Sequence, residues 1–381
     1  MDYGFNEEQR ILQQTVRQFA EEVIKPVCRD LDEKEIFDVG IAKQMMDLGL
    51  FGITVSPEYG GMGTDYTSYC LVVEELARVD AGAAATVAAG NSLGIGPIYY
   101  FGSEAQKRKY LPKLCTQNLW GFGLTEPEAG SDAGGSKSTG VLKDGTWILN
   151  GSKIFITNAA SSLTLGSTIQ CVTGKDAAGK KEVSCVLVDQ GTPGYTQKEM
   201  HHKLCWRTSN TAELYLDDVS VPEENLLGKR GDGFKQMLQT LDSGRLAIAA
   251  MGVGGAQGAF ECALQYANER KQFGQTIGKF QAIAFRIADM ATEIEAARTL
   301  LYKACWLRDQ KKPFQKEAAM AKLYASEVMK RVAHGAVQVY GGYGLMEEFP
   351  VAKFYRDQRL LEIGEGTSEV QRMVIARKLG L

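Results

Sequence analysis

The sequence predicts an α+β chain, mostly α, in which a middle antiparallel β domain separates two helical parts. Three observations carry that reading. Apolar residues recur at helical spacing from residue 6 to 114. From about residue 120 the pattern changes to short runs of β-branched and aromatic residues broken by turn signals, and it holds to Pro222. Beyond Pro222 the helical period returns, in segments long enough to pack as a bundle. The boundaries drawn on this basis are 1–119, 120–224 and 225–381.

Each element has its own signal. Over 6–27, Ile11, Val16, Phe19, Val23 and Ile24 mark one apolar side among Glu, Gln and Arg. A second helix is expected over 38–50, followed by the glycine-rich turn 57–63. Helices follow over 66–79, over the alanine- and glycine-rich 81–101, and over 104–114. In the middle part strands begin near Trp120. Others are expected over 146–151, 154–157, 168–173, 183–188 and 212–216. Asp144-Gly145 and Asn150-Gly151 both read as hairpin turns. The last part reads as helices over 234–267, 281–309, 314–340 and 367–379.

Composition narrows the class. The chain has 381 residues, 44% hydrophobic, with a net charge of −3 and no long run of one sign, so no nucleic-acid footprint is expected. It lacks a run of about 18 uninterrupted apolar residues, and no membrane span is expected. The first residues do not resemble a signal peptide. Eight cysteines stand singly, which reads as reduced thiols in a reducing compartment, cytoplasmic or the mitochondrial matrix. Three histidines, two of them adjacent, offer poor metal-ligand spacing, and no metal is expected.

The stretch Gly364-Glu365-Gly366-Thr367-Ser368-Glu369-Val370-Gln371-Arg372 is the candidate centre. Glycine on both sides of a carboxylate permits a tight turn and close approach of another molecule. Ser368 and Gln371 have capping-box spacing, and Val370, Met373 and Val374 fall on one helical face. The positive end of that helix should favour ionised Glu365, a plausible general base.

Four other motifs precede it. Residues 124–132, Leu-Thr-Glu-Pro-Glu-Ala-Gly-Ser-Asp, stand where the first helical part meets the β part, and small residues there let backbone amides approach a flat polar ligand. Asn150-Gly-Ser-Lys-Ile-Phe-Ile-Thr-Asn follows, then Glu269-Arg-Lys-Gln-Phe-Gly, then Gln338-Val-Tyr-Gly-Gly-Tyr-Gly. None is a dinucleotide fingerprint or a P-loop. Taken in order with Glu-Gly-Thr-Ser-Glu, the five resemble the acyl-CoA dehydrogenase family along nearly the whole chain, nearest its short-chain branch.

The resemblance implies an N-terminal helical domain, a middle β domain and a C-terminal four-helix bundle. It also implies FAD, a homotetramer, an acyl-CoA substrate and electron-transfer flavoprotein as acceptor. In such enzymes a glutamate takes the α-proton while the β-hydrogen leaves as hydride to flavin N5, and the thioester oxygen is held as in an oxyanion hole. Carried onto this sequence, Glu365 is the base. The family's other position for a base falls on Gly244, where no base exists. Phe122, Leu124, Thr125, Gly130 and Ser131, with Phe155, Ile156 and Thr157, match the surroundings of the isoalloxazine, Phe155 standing where tryptophan is common. Thr367 and Glu369 match a further FAD contact. Arg270, Gln272, Phe273, Phe280, Gln281, Gln338, Val339, Gly341 and Gly342 match contacts to the adenine-nucleotide half across a subunit boundary. Ser131, Asp242 and Arg245 match the CoA channel, and Gly366, Ala89 and Gly364 the acyl pocket.

Two features bear on the acyl group. Straight-chain relatives mostly carry tyrosine where this chain has Gly364, which opens space beside the α-carbon; Ala88 and Ala89 are small as well. That space suits a 2-methyl-branched or cyclohexane-carboxyl group, unless Trp206 or Tyr343 fills it and the substrate is butyryl-CoA. The positions that hold a distal carboxylate in the glutaryl-CoA branch look like Ala77 and Ala84, so an uncharged acyl group is expected. An acyl-CoA oxidase would be a much longer chain, and a CoA-binding relative without chemistry would lack the base or the flavin motifs.

Overall fold

A computed structural model describes residues 4–175 and 178–381. The first helical part comprises α1 (Glu7–Phe19), α2 (Lys25–Glu33), α3 (Val39–Asp47), α4 (Tyr66–Ala77), α5 (Ala81–Ala89), α6 (Gly96–Phe101) and α7 (Glu104–Thr116). Capping boxes start α1 and α7: Asn6 Oδ1 accepts the Gln9 N–H at 2.8 Å, and Ser103 Oγ accepts that of Gln106 at 3.2 Å. The two long helices expected here are each interrupted by a π-helical turn, Ala20–Ile24 and Gly90–Ile95. Such turns widen a helix by one residue and recur at functional sites. The second follows directly on Ala89.

The middle strands are β1 (Leu119–Gly123), β2 (Thr139–Lys143), β3 (Thr146–Thr157), β4 (Thr164–Lys175), β5 (Lys181–Asp189), β6 (Tyr195–Glu199) and β7 (Thr211–Pro222). They form one sheet in the order β1-β4-β2-β3-β7-β6, with β5 also on β4. Most pairings are antiparallel as expected, but β4 runs parallel to β1 and β2, so the sheet is mixed. Asp144-Gly145 makes the β2–β3 hairpin, both residues at positive φ (49° and 75°). Asn150-Gly151 does not turn. It lies inside β3, where the register with β7 jumps between Leu149 and Gly151. Asn150 instead exchanges two 2.9 Å hydrogen bonds with Asp218 across that bulge. Long-range pairing has overridden a local turn signal.

The last part contains α8 (Gly233–Glu269), the short ribbon β8 (Lys271–Gln272) and β9 (Gln275–Thr276), α9 (Gln281–Asp309), α10 (Gln315–Tyr340), α11 (Pro350–Leu361) and α12 (Ser368–Lys378). Helices α8, α9 and α10 pack on one another, α11 lies on α8 and α10, and α12 on α10. Helix α8 is long and apolar enough to cross a membrane, but 78% of its most apolar stretch is buried within the protein. It packs tightly because its small residues admit neighbouring backbone: a Cβ on Gly254 would collide with the Glu74 carbonyl of α4. The periodicity did not reveal α11. It is anchored by a buried cluster in which Lys353 pairs with Asp80 (2.7 Å) and with Asp357, and Arg356 pairs with Asp32. Asp357 also accepts the Trp206 N–H at 2.8 Å. All three parts of the chain therefore meet at α11, which leads straight into the Glu365 loop.

Candidate active site

The loop between α11 and α12 is tied at both ends. Gly364 N–H donates to the Leu360 carbonyl (2.8 Å), and Ser368 N–H to that of Glu362 (3.0 Å). Glu365 has φ +52° and Gly366 φ +92°. A left-handed non-glycine residue costs about 1–3 kcal/mol and persists where its surroundings over-determine it. Here Gln371 Nε2 donates to the Glu365 and Gly366 carbonyls (3.2 and 2.9 Å), and Lys322 Nζ to the Gly366 carbonyl (2.7 Å). The expected capping box on Ser368 is not formed. Thr367 caps α12 one residue earlier, its hydroxyl accepting the Val370 N–H at 3.3 Å, because Gln371 is committed to the loop carbonyls. The buried face of α12 is Ser368 and Gln371 rather than Val370, Met373 and Val374; Met373 is 62% exposed.

The carboxylate lies against α8. A Cβ at Gly244 would collide with Glu365 Oε2, so the absence of a side chain there makes the base's seat. Oε2 is buried and has no hydrogen-bond partner among the described residues. Burial pushes the Glu365 carboxyl up to about 7, against the pull of Lys322 and then Arg245. Ionisation favoured by the end of α12 was the expectation; desolvation outweighs it. A base must be deprotonated to act, so kcat/KM is expected to rise with pH through about 7 and to level above it. A profile flat from pH 5 to 8 would contradict this. Asp242 pairs with Arg245, one turn of α8 beside the base, and burial raises the Asp242 carboxyl above its usual range. From α4, the buried Tyr69 hydroxyl donates to the Ala88 carbonyl at 2.7 Å, next to Ala89 and near Glu365. Gly364, Gly366, Asp242 and Arg245 are thus brought together around Glu365. Ser131 is exposed on the loop after β1 and makes no side-chain hydrogen bond among the described residues.

The flavin candidates fall into two sets. Arg270, Gln272, Val339, Gly341 and Gly342 line one groove of about 490 Å³, with the Arg270 guanidinium over the Tyr343 ring. Phe273, 93% exposed, meets Phe280 edge-on at 6.0 Å beside the β8–β9 ribbon, Gln281 opens α9, and Gln338 stands one turn before the glycines. Gly341 and Gly342 have no neighbour where a Cβ would stand, leaving their backbone approachable. The second set surrounds the loop 124–135. Phe155 is 63% exposed at φ +61°, between Ile154 and Ile156 of β3, and Gly130 faces open space. Glu126 folds this loop, accepting from Ser136 Oγ, the Lys137 and Ser138 N–H groups and the buried Lys153 ammonium (2.6 Å). Burial pushes its carboxyl up, but these charge-assisted bonds together outweigh it and hold the carboxyl down at about 2. Leu124 and Thr125 are half-buried on that loop, Thr157 ends β3, and Phe122 is buried on β1. Ile156 turns its side chain into the β core, so it offers only its backbone. Thr367 spends its hydroxyl on α12, and Glu369 is exposed. An exposed aromatic beside an open glycine loop, with a separate aromatic, arginine and glycine groove, fits the two halves of FAD. Among the described residues, none of the β part lines the groove.

Lys322, Leu360 and the Glu126–Lys153 pair were missed from the sequence, and Gln371 was assigned to a cap rather than to the loop carbonyls. Lys322 carried a legible signal, a lone lysine in the apolar run Ala318-Ala-Met-Ala-Lys-Leu-Tyr-Ala.

A poised carboxylate acts on an acidic C–H, and the flavin cradle supplies an electron acceptor; together with the three-part frame this is the class of flavin-dependent dehydrogenases of thioesters. Models of the acyl-CoA dehydrogenase N-terminal, middle and C-terminal domains match residues 6–118, 121–219 and 231–380, and the chain belongs to that family. It is 47% identical, over the full length of both chains, to a probable acyl-CoA dehydrogenase of Bacillus subtilis. Among solved structures, butyryl-CoA dehydrogenase from Megasphaera elsdenii superposes with a TM-score of 0.96 at 42% identity, covering 100% of each chain. A chain solved in work on the electron transferring flavoprotein of Acidaminococcus fermentans matches at 0.95 and 43%, covering 100% of this chain and 99% of that one. The protein is therefore an FAD-dependent oxidoreductase of acyl-CoA.

Proposed function

We propose that the substrate is an uncharged short-chain acyl-CoA with room for a substituent at its α-carbon, converted to the 2-enoyl thioester with Glu365 as the base. The seat of Glu365 against Gly244 is the observation that carries this reading. The carboxylate takes the α-proton on the side where Oε2 lacks a partner. Its own N–H makes no hydrogen bond among the described residues and is free to donate to the thioester carbonyl, stabilising enolate charge. Bound FAD supplies the two-electron acceptor that no side chain can.

Gly364, Ala88 and Ala89 support an α-substituted or cyclic acyl group. The Trp206 ring N–H donates to the Asp357 carbonyl at 3.1 Å and the Tyr343 ring faces Arg270, and neither ring is among the nearest neighbours of a Cβ at Gly364. Plain butyryl-CoA is the second reading, favoured by Leu360, whose Cδ2 lies 2.8 Å from where a Cβ on Gly364 would stand. Nothing beside the site is arranged to hold a distal carboxylate: among the described residues Lys322 is directed at the Gly366 carbonyl and Arg245 at Asp242, while Ala77 packs in the α4–α8 seam beside Gly254 and Ala84 is buried. Anaerobic bleaching of the bound flavin by butyryl-, 2-methylbutyryl-, cyclohexane-carboxyl- and glutaryl-CoA tests this. Bleaching by the neutral thioesters is expected, and poor reaction with glutaryl-CoA. Gly364→Tyr must displace Leu360 and is expected to lower activity on the α-substituted thioesters far more than on butyryl-CoA. A wild-type preference for butyryl-CoA that Gly364→Tyr leaves unchanged would refute the α-substituted reading.

The two separate flavin sets support a homotetramer in which the adenine half of FAD meets a neighbouring subunit. The match to a chain solved with work on an electron transferring flavoprotein supports such a flavoprotein as acceptor. Eight free thiols support a reducing compartment, cytoplasmic or mitochondrial matrix.

A further inference from the structure

We propose that Lys322 is a positioning residue for the base: its ammonium pins the turn that aims Glu365, and its buried charge favours the ionised carboxylate. This rests on the reading of Glu365 as base. Lys322 stands on α10 with 0% of its surface exposed. Its one hydrogen bond goes to the Gly366 carbonyl, and no carboxylate lies within ion-pair distance of it among the described residues. A buried ammonium without a counter-ion is costly, and an apolar side chain of similar length would fill the slot more cheaply. Burial accordingly pushes Lys322 down to about 8, with Glu365 the foremost group holding it up.

The surroundings leave few other candidates for that role. The charges facing Glu365 are Lys322 from α10 and Arg245 from α8, with the Tyr69 phenol from α4. Those facing Lys322 are Glu365, Arg245, Glu362 and Glu369. Arg245 already pairs with Asp242, and Glu362 with Lys330 and Arg359, while Glu369 is exposed. The cation is also fixed in direction. It grips the carbonyl of the residue after Glu365, at the second of two consecutive positive-φ positions, so the same group that stabilises the anion sets where it points. Gln371 shares this grip without a charge.

The pH profile of kcat/KM in the FAD-loaded enzyme separates the two contributions. Lys322→Gln keeps a donor and removes the charge; the acid limb is expected to move up by about one pH unit, the scale of a lost neighbouring charge, with KM little changed. Gln371→Leu keeps the charge and removes neutral donors; kcat is expected to fall with the acid limb in place. An acid limb that stays put in Lys322→Gln overturns the proposal. If Lys322→Gln does not fold, Gln371→Leu decides, because a moved acid limb there assigns the effect to the turn alone and overturns the role of the charge. Wild-type-like turnover in Glu365→Gln would end the base reading itself, whereas an inactive Glu365→Gln with an unmoved limb in Lys322→Gln ends only this one.

Discussion

Replacing Glu365 by glutamine is expected to leave a folded, yellow protein and to lower turnover at least about a hundredfold, the scale of a lost general base. Glutamine keeps the size of the side chain and can still lie against Gly244, so the loop and its hydrogen bonds to Gln371 and Lys322 need not change. What is lost is the capacity to accept a proton. The expected signature is a fall in kcat with FAD content and thermal midpoint close to wild type. Near-normal turnover would assign the proton to another group.

Gly244→Val is expected to be nearly as damaging, by displacement rather than by chemistry. A Cβ at position 244 occupies the space of Glu365 Oε2. The carboxylate is the free end of a flexible side chain, so it swings away while α8 and the loop persist. A reacting group misplaced by about an ångström costs on the order of a hundredfold. Gly244→Ala should cost less, since one methyl can be accommodated by a smaller rotation. Rapid kinetics on the two variants and the wild type at pH 7.5, above the value of about 7 for the base and below that of about 8 for Lys322, would show the graded loss. Full activity in Gly244→Val would mean that the base does not work from the seat described.

Much of this was legible in the sequence because it is local. The helical periods, the bounds of α9, the Asp144-Gly145 hairpin and the ordered motifs ending in Glu-Gly-Thr-Ser-Glu depend on neighbouring residues only. The failures are of the opposite kind. Asn150-Gly151 has the chemistry of a turn, yet β7 pairs on both sides of it and converts it to a bulge. Ser368 and Gln371 have the spacing of a capping box, yet the loop carbonyls claim Gln371 and leave the cap to Thr367.

The sequence by itself determined the family, the three-part frame, the flavin motifs and the identity of Glu365 as candidate base. Only the tertiary structure decided how that carboxylate behaves. Its carboxyl is raised to about 7 because α8 and α10, remote in sequence, exclude water around it, and dehydration of a charge outweighs a helix end. Its orientation is set by Lys322 and Gln371 and its seat by Gly244, and Leu360 stands where a side chain at Gly364 would begin. Proton affinity, direction and free volume all arise from what surrounds a group in space, and no pattern along one stretch of chain contains that.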